Sequence, residues 1–216
     1  MLISMPHSHR IAEYLLAVEA VKLSTNPPFT WTSGLKAPVY CDNRMLYSHS
    51  DARDFIVNAL VSRVKALHIQ PDVIAGTATA AIGWGALVAD RLKLPFVYIR
   101  SKAKEHGAKK RIEGDLKPEQ DVVIIEDLIS TGGSSMSSAQ AVREEGKCRV
   151  ADIVSIFSYE LPAATESANE QKIRLHPLST LSDLIQSAVD MNKITNEQAT
   201  IIRDFTDDPE RWSKSR

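Results

Sequence analysis

The sequence predicts an α/β fold: a central, mainly parallel sheet flanked by helices, with a small N-terminal hood. Three observations carry that prediction. First, short apolar runs rich in β-branched residues alternate with helix-like runs: DVIAG (72–76), PFVYIR (95–100), VVII (122–125) and RVADIVSIFSY (149–159). Such runs read as strands buried on both faces, and strands separated by helices pair in parallel through right-handed crossovers. Second, the segment before this alternation, residues 29–40, favours extended chain with a break and precedes the sheet as a hood. Third, the composition is that of an ordinary globular protein, 216 residues with 44% hydrophobic and 25% charged, enough for one sizeable domain. Residues 1–216 are therefore expected to form a single domain, its hood made by about residues 1–45 with help from the C-terminal part.

The same totals exclude several classes. A net charge of −1 argues against a general nucleic-acid or anionic-membrane binder, so any anion site must be built locally. Cys41 and Cys148 are the only cysteines; they match no metal spacing and no disulfide framework, which points to a reducing cytoplasm. Residues 1–10 lack the apolar core of a secretory signal, and no run of about 18 apolar residues exists to cross a membrane.

In chain order, residues 9–23 place Ile11, Leu15, Val18 and Leu23 near helical spacing, predicting an amphipathic helix ended by Asn26-Pro27-Pro28. Residues 29–40 hold Thr, Trp, Val and Tyr around Ser33-Gly34, the pattern of a hairpin. Ser50 is expected to cap a helix whose Phe55, Ile56, Ala59, Leu60 and Val64 share a face. A strand at 72–76 leads into the small-residue turn Thr77-Ala78-Thr79. Residues 80–92 are small and apolar enough to pack as a helix close to the sheet. After the strand at 95–100, residues 101–117 show no apolar periodicity. The C-terminal end is expected to be helical, with Thr180-x-x-Asp183 and Thr195-x-x-Gln198 as capping boxes. Asp207-Asp208-Pro209 should end the last helix, before a polar, loosely ordered tail.

The stretch richest in chemistry is VVIIEDLISTGGSS, residues 122–135. A buried strand runs into two acids, Glu126 and Asp127, then a loop of hydroxyls and glycines, then a helix over 136–145. This is the layout of a phosphate site at the carboxyl edge of a parallel sheet. Amide N–H groups at a helix start lack intrahelical acceptors and share the positive end of the macrodipole. Glycines let an anion approach the backbone, and Ser and Thr add donors. The loop matches neither G-x-x-x-x-G-K-[ST] nor G-x-G-x-x-G. Acids placed immediately before it suit a ligand with hydroxyls beside its phosphate, and a ribose 5-phosphate fits.

A second stretch, RSKAKEHGAKKRIEG (100–114), is basic. Arg100, Lys102, Lys104 and His106 recur at every second position and would share one face of an extended chain. That face suits a pyrophosphate with Mg²⁺, since charge attraction rises severalfold when water is excluded. Gly107 and Gly114 could act as hinges of a lid.

Residues 122–134 resemble the phosphoribosyl-diphosphate (PRPP) motif of the type I phosphoribosyltransferases. The wider chain, about residues 11–212, resembles the orotate phosphoribosyltransferases of that fold. The resemblance implies PRPP binding by Glu126, Asp127, Leu128, Ile129, Ser130, Thr131, Gly132, Gly133 and Ser134. It also implies diphosphate contacts from Thr77, Ala78 and Thr79, in a loop where some members carry a lysine and this chain has Ala80. R-x-K-x-K-x-H-G is similar to the catalytic loop that crosses to the neighbouring subunit of a homodimer. Arg100, Lys104 and His106 would thus meet PRPP in trans. Lys102 stands one place beyond the position where some members have lysine. Residues 29–44 resemble the segment that covers the pyrimidine. Ser130 matches a position that touches orotate, and Tyr40 and Cys41 stand where some members have two aromatic residues. Thr32 replaces a lysine, and an arginine used by some members near 158–159 has no counterpart. Lys36 is a candidate partner for the orotate carboxylate.

The implied reaction transfers the ribose 5-phosphate of PRPP to orotate, with Mg²⁺, giving orotidine 5′-monophosphate and pyrophosphate in pyrimidine synthesis. Arg100, Lys102, Lys104 and His106 would stabilise the leaving group. Mg²⁺ would ride on the diphosphate with no direct protein ligand, since no side-chain cage is visible. Two other readings share the PRPP motif: transfer to a different base, and a PRPP-sensing regulator of nucleic acid. The charge and the lack of a basic helix-turn-helix extension argue against the second.

Overall fold

The computed structural model describes residues 7–102 and 110–216. Helix α1 (His7–Ala17) buries Ile11, Ala12, Leu15 and Leu16. It stops well short of residue 23: Glu19 has a φ of 56°, and the chain then enters a strand. The helical spacing of Leu23 is coincidental, because pairing with a distant strand overrides it.

The hood follows. Strands β1 (Val21–Leu23), β2 (Phe29–Thr30), β3 (Lys36–Ala37) and β4 (Val39–Cys41) make two antiparallel ribbons. β2 and β3 form the predicted hairpin, Phe29 opposite Ala37; β1 pairs with β4, Val21 opposite Cys41. A 3₁₀ turn, Asn43–Ser48, is capped by Asp42, which accepts from the Arg44 N–H. It leads to α2 (Ser50–Lys65), where the cap position belongs to His49 and Ser50 is the first helical residue. Asp51 stands in that first turn, where a carboxylate complements the dipole.

The α/β alternation then runs through β5 (Val73–Thr77), α3 (Ala81–Leu92), β6 (Phe96–Ile99), β7 (Ile112–Glu113), β8 (Asp121–Ile129), α4 (Gly133–Glu144) and β9 (Arg149–Ser158). It continues with α5 (Pro162–Glu170), β10 (Arg174–Thr180), α6 (Leu181–Asp190), α7 (Asn196–Asp207) and α8 (Pro209–Lys214). The six-stranded sheet has the order β10-β9-β8-β5-β6-β7. Every pair in it is parallel except β7 on β6, so the mainly parallel sheet is as predicted. The two sheet faces bury separate cores. Val123, Ile125, Val154 and Ile156 pack with residues of α1, α2 and α3; Val122, Ile124 and Ile153 pack with Met136, Ala139 and Val142 of α4. Helix α3 does approach the sheet closely: a Cβ on Gly85 would lie 2.8 Å from the Phe96 ring and 3.2 Å from Gly76 Cα.

Three expectations need correction. β7 lies in a segment read as structureless, because a two-residue strand is too short to show a period. β10 lies between the last predicted strand and the helix capped at Thr180, where no element was expected; its RLHPLST is polar and carries Pro177, which an edge strand tolerates. A helix, α7, does end at Asp207 as expected, but it is not the last: Pro209 begins α8, with Asp208 accepting from the Arg211 N–H, the favoured place for proline in a first turn. The tail packs as well: Trp212 is buried, its Nε1 donates to Ile201 O at 3.0 Å, and the Arg216 guanidinium lies 4.9 Å over its ring. Both predicted capping boxes form.

Candidate active site

Strand β8 is twice as long as the predicted VVII run, because β9 keeps pairing with it: Glu126 faces Ser155 and Ile129 faces Ser158. Glu126 and Asp127 are therefore in the strand, not after it, and their carboxyl groups lie close enough to interact directly. Glu126 is 3% exposed. Its carboxylate accepts from Ser135 Oγ at 3.0 Å, Ser134 Oγ at 3.3 Å and the Asp127 N–H at 3.1 Å. Asp127 is half-buried, and its carbonyl accepts from Asn43 Nδ2 at 2.6 Å. Burial, and then the adjacent Asp127 charge, push the Glu126 carboxyl well above the usual carboxylate range. Burial raises Asp127 too. Ionising both acids is costly until donors or a cation arrive.

Beyond Ser130 the chain turns at Gly132, whose φ is 81°. A Cβ there would also sit 3.3 Å from Ala164 Cα, so both conformation and space require glycine. Gly132 caps α4 without a side-chain hydrogen bond, and Thr131, Gly133 and Ser134 are exposed. The first-turn amides of this 12-residue helix thus open to an anion beside the two acids.

On the neighbouring strand, Thr77 is buried and its Oγ1 donates to Ser138 Oγ at 3.3 Å. The Ala78 N–H donates to Ile99 O at 2.8 Å, so that amide serves the sheet, and Thr79 is the exposed member of the turn. The Ala78–Thr79 peptide is cis.

The basic stretch leaves the end of β6. Arg100 turns its guanidinium towards Glu113, Nη1 to Oε1 at 3.4 Å, and Lys102 is exposed. Lys104 and His106 lie outside the described residues.

A cavity of about 350 Å³ separates hood from sheet edge, lined by Trp31, Thr32 and Tyr40 on one side and Leu128, Ser130 and Tyr159 on the other. Tyr40 is 43% exposed. Cys41 also lines it, its thiol pushed up by burial. Lys36 does not line it. Its amide donates to Ser213 Oγ at 2.9 Å and its ammonium to the Arg216 carbonyl, which ties β3 to α8. Trp31, Tyr159 and Asn43 were not singled out as site residues in the sequence. Tyr159 had a signal, its place at the carboxyl end of a parallel strand; the other two had none.

The comparisons match this geometry. The family described as Phosphoribosyl transferase domain matches residues 46–185. The chain is similar to the orotate phosphoribosyltransferase of Enterococcus faecalis, 46% identical over 205 residues, 95% of this chain and 97% of that protein. Its likeness to the Streptococcus pyogenes orotate phosphoribosyltransferase is 46% over 210 residues, 97% of this chain and all of the other. The chain belongs to the orotate phosphoribosyltransferase family. Among solved structures, the Aeropyrum pernix orotate phosphoribosyltransferase superposes with a TM-score of 0.72 at 25% identity, covering 86% of this chain and 99% of that one. Leishmania donovani UMP synthase superposes at 0.79 and 26%, covering 93% of this chain and 42% of that longer one. With family membership goes the enzyme class, a pentosyltransferase of pyrimidine biosynthesis. Among the described residues, no helix is long and apolar enough to cross a membrane.

Proposed function

We propose that this chain transfers the ribose 5-phosphate of PRPP to orotate, giving orotidine 5′-monophosphate and pyrophosphate. The observation that carries this reading is a convergence at one sheet edge. The paired acids of β8, the amide cradle at Gly132–Ser134 and the hood cavity all meet at Ser130, which lines that cavity. The cradle suits the 5′-phosphate, Glu126 and Asp127 the ribose, and the cavity the base.

The reaction breaks the bond from ribose C1 to diphosphate and forms one to the base nitrogen. Positive charge grows on the ribose and negative charge on the departing pyrophosphate. Catalysis is then mainly positioning and electrostatic stabilisation. Asp127 and Glu126, near C1, favour the developing cation, while Arg100, Lys102, Lys104 and His106 steady the leaving group. Thr77, Ala78 and Thr79 border the diphosphate. Leu128, Ile129, Thr131, Gly133 and Ser134 complete the PRPP site, and Tyr40 lies on the orotate side; Lys36 would reach orotate only by leaving the Arg216 carbonyl. Among the described residues no group of three or more His, Cys, Asp or Glu could hold a metal. Mg²⁺ would arrive on the diphosphate oxygens, with no direct protein ligand, and would neutralise diphosphate charge there. The chain would work as one domain with its hood, in a cytoplasmic homodimer that shares the basic loop between subunits; its two free thiols suit that compartment.

The test is PRPP-dependent loss of orotate absorbance, run beside hypoxanthine, adenine and uracil. Turnover with orotate alone is expected. Turnover with a purine and none with orotate would overturn the reading in favour of a different base. Sequence-specific retardation of DNA or RNA without turnover would favour a regulator.

A further inference from the structure

Trp31 is the one large side chain shared by two hollows. On one side lies the base cavity of about 350 Å³. On the other lies a groove of about 710 Å³, floored by Leu35, Leu161 and Pro162 and closed by Asp208 and Pro209 at the α7–α8 junction. Among the described residues the linings have Trp31, Ser33 and Thr131 in common, and of these the indole is the one large enough to form a wall.

That wall is held on three sides. The indole stacks on Tyr159 with ring centroids 5.2 Å apart and planes 13° apart. Phe205 of α7 meets it edge-on at 5.7 Å and 83°. Its Nε1 donates to Val39 O at 2.9 Å. Phe205 is in turn braced edge-on by Trp212 at 5.5 Å. Aromatic pairs in these geometries add attraction beyond their buried area, so sheet, hood and C-terminal helices all fix one indole. Among the described residues, the base cavity has no Lys, Arg or His in its lining.

We propose that Trp31 is a specificity-determining residue, a partition that limits the size of the pyrimidine by closing the base cavity off from the neighbouring groove. The inference rests on the reading that the base occupies the smaller hollow. Without the indole the two spaces join, and added bulk on the ring gains somewhere to go. A pocket contact of this kind is worth about 10- to 200-fold in discrimination.

The test compares kcat/KM for orotate with that for orotates carrying methyl, propyl or benzyl at C5. In Trp31→Leu the ratio of bulky analogue to orotate should rise about tenfold or more, with PRPP affinity within about twofold of the parent. Trp31→Phe, which keeps a ring, should retain most of the parent selectivity. An unchanged ratio in folded Trp31→Leu overturns the proposal. A second measurement needs no variant. Trp84 and Trp212 are buried and Trp31 is partly open, so acrylamide quenching of indole fluorescence should drop when orotate binds in the presence of pyrophosphate. Undiminished quenching also overturns it. Thr32→Trp separates the two levels of inference, because exposed Thr32 lines the smaller cavity alone. An unchanged orotate KM there removes the base from this cavity and sinks both readings. A raised KM, with selectivity unmoved in Trp31→Leu, sinks only the partition.

Discussion

Arg100 and Arg111 are bonded to each other in both directions: the Arg100 N–H donates to Arg111 O at 2.9 Å, and Arg111 Nε donates to Arg100 O at 2.8 Å. The two ends of the basic stretch are thereby held together at the edge of the sheet. Arg111 also reaches the cradle helix, Nη1 donating to Ser137 O on α4 at 3.0 Å, while its own N–H donates to Glu145 at 2.8 Å.

Arg111→Leu keeps the apolar stem and removes the guanidinium bonds. Hydrogen bonds from a charged donor contribute about 1.5–3 kcal/mol each, and partial exposure brings this pair to about 2 kcal/mol in total. The melting temperature should fall by a few degrees. The value of kcat should fall about tenfold, because the loop ends lose their register on α4. Thermal melts and steady-state kinetics check both. An unchanged kcat beside a lowered melting point would make Arg111 a purely structural clamp.

The buried acid of β8 has its own pH signature. The Glu126 carboxyl is raised, chiefly by burial, so its proton is held more tightly in the folded chain than in the unfolded one. Its contribution to stability is full below the ordinary carboxylate pKa of about 4.3 and is lost as pH climbs through the raised folded value. Glu126→Gln removes this titration and should flatten the alkaline fall in stability. Ser135→Ala removes a donor to the charged form and should steepen it. Urea unfolding at several pH values tests the pair; parallel curves for parent and Glu126→Gln would refute the assignment.

PRPP affinity should depend on the same acids. The double variant Glu126→Gln with Asp127→Asn keeps size and most hydrogen bonds, so it should fold. Its carboxamides cannot give charged acceptance to ribose hydroxyls, and each such bond lost is worth about 1.5–3 kcal/mol. Calorimetry should show PRPP binding weakened beyond about a hundredfold. Undiminished affinity would remove the acids from the ribose site.

The proposed sharing of the basic loop between subunits predicts complementation. Lys104→Ala lacks a loop cation and the double acid variant lacks the ribose site; each alone should be nearly inactive. Mixed and allowed to exchange, they form heterodimers in which one of the two sites is intact, and part of the activity returns. Proven exchange without recovery would mean that the loop serves its own subunit.

The parallel sheet was legible because VVII, VIA and IVSIF carry their signal locally: β-branched residues buried on both faces need no partner to be recognised. The capping boxes at Thr180 and Thr195 were legible for the same reason, since each is completed within four residues. β7, β10 and the end of α1 were not. A two-residue strand has no period, Pro177 argues against any strand but an edge, and Val21 joins β1 only because Cys41 lies opposite it.

The sequence by itself determined the phosphate-site stretch: a strand, two acids, glycines and hydroxyls in one run of chain, all chemistry of neighbours. Only the tertiary structure decided that Glu126 is already bonded to Ser134 and Ser135. It alone joined Trp31 and Tyr159, far apart in the chain, into a wall of the hood cavity with Phe205 braced behind the indole, and it turned Lys36 towards the C-terminal helix. The reason is physical. Local propensity reports the strength of contacts along the chain, whereas a cavity is made by residues that meet only after the sheet has fixed their register.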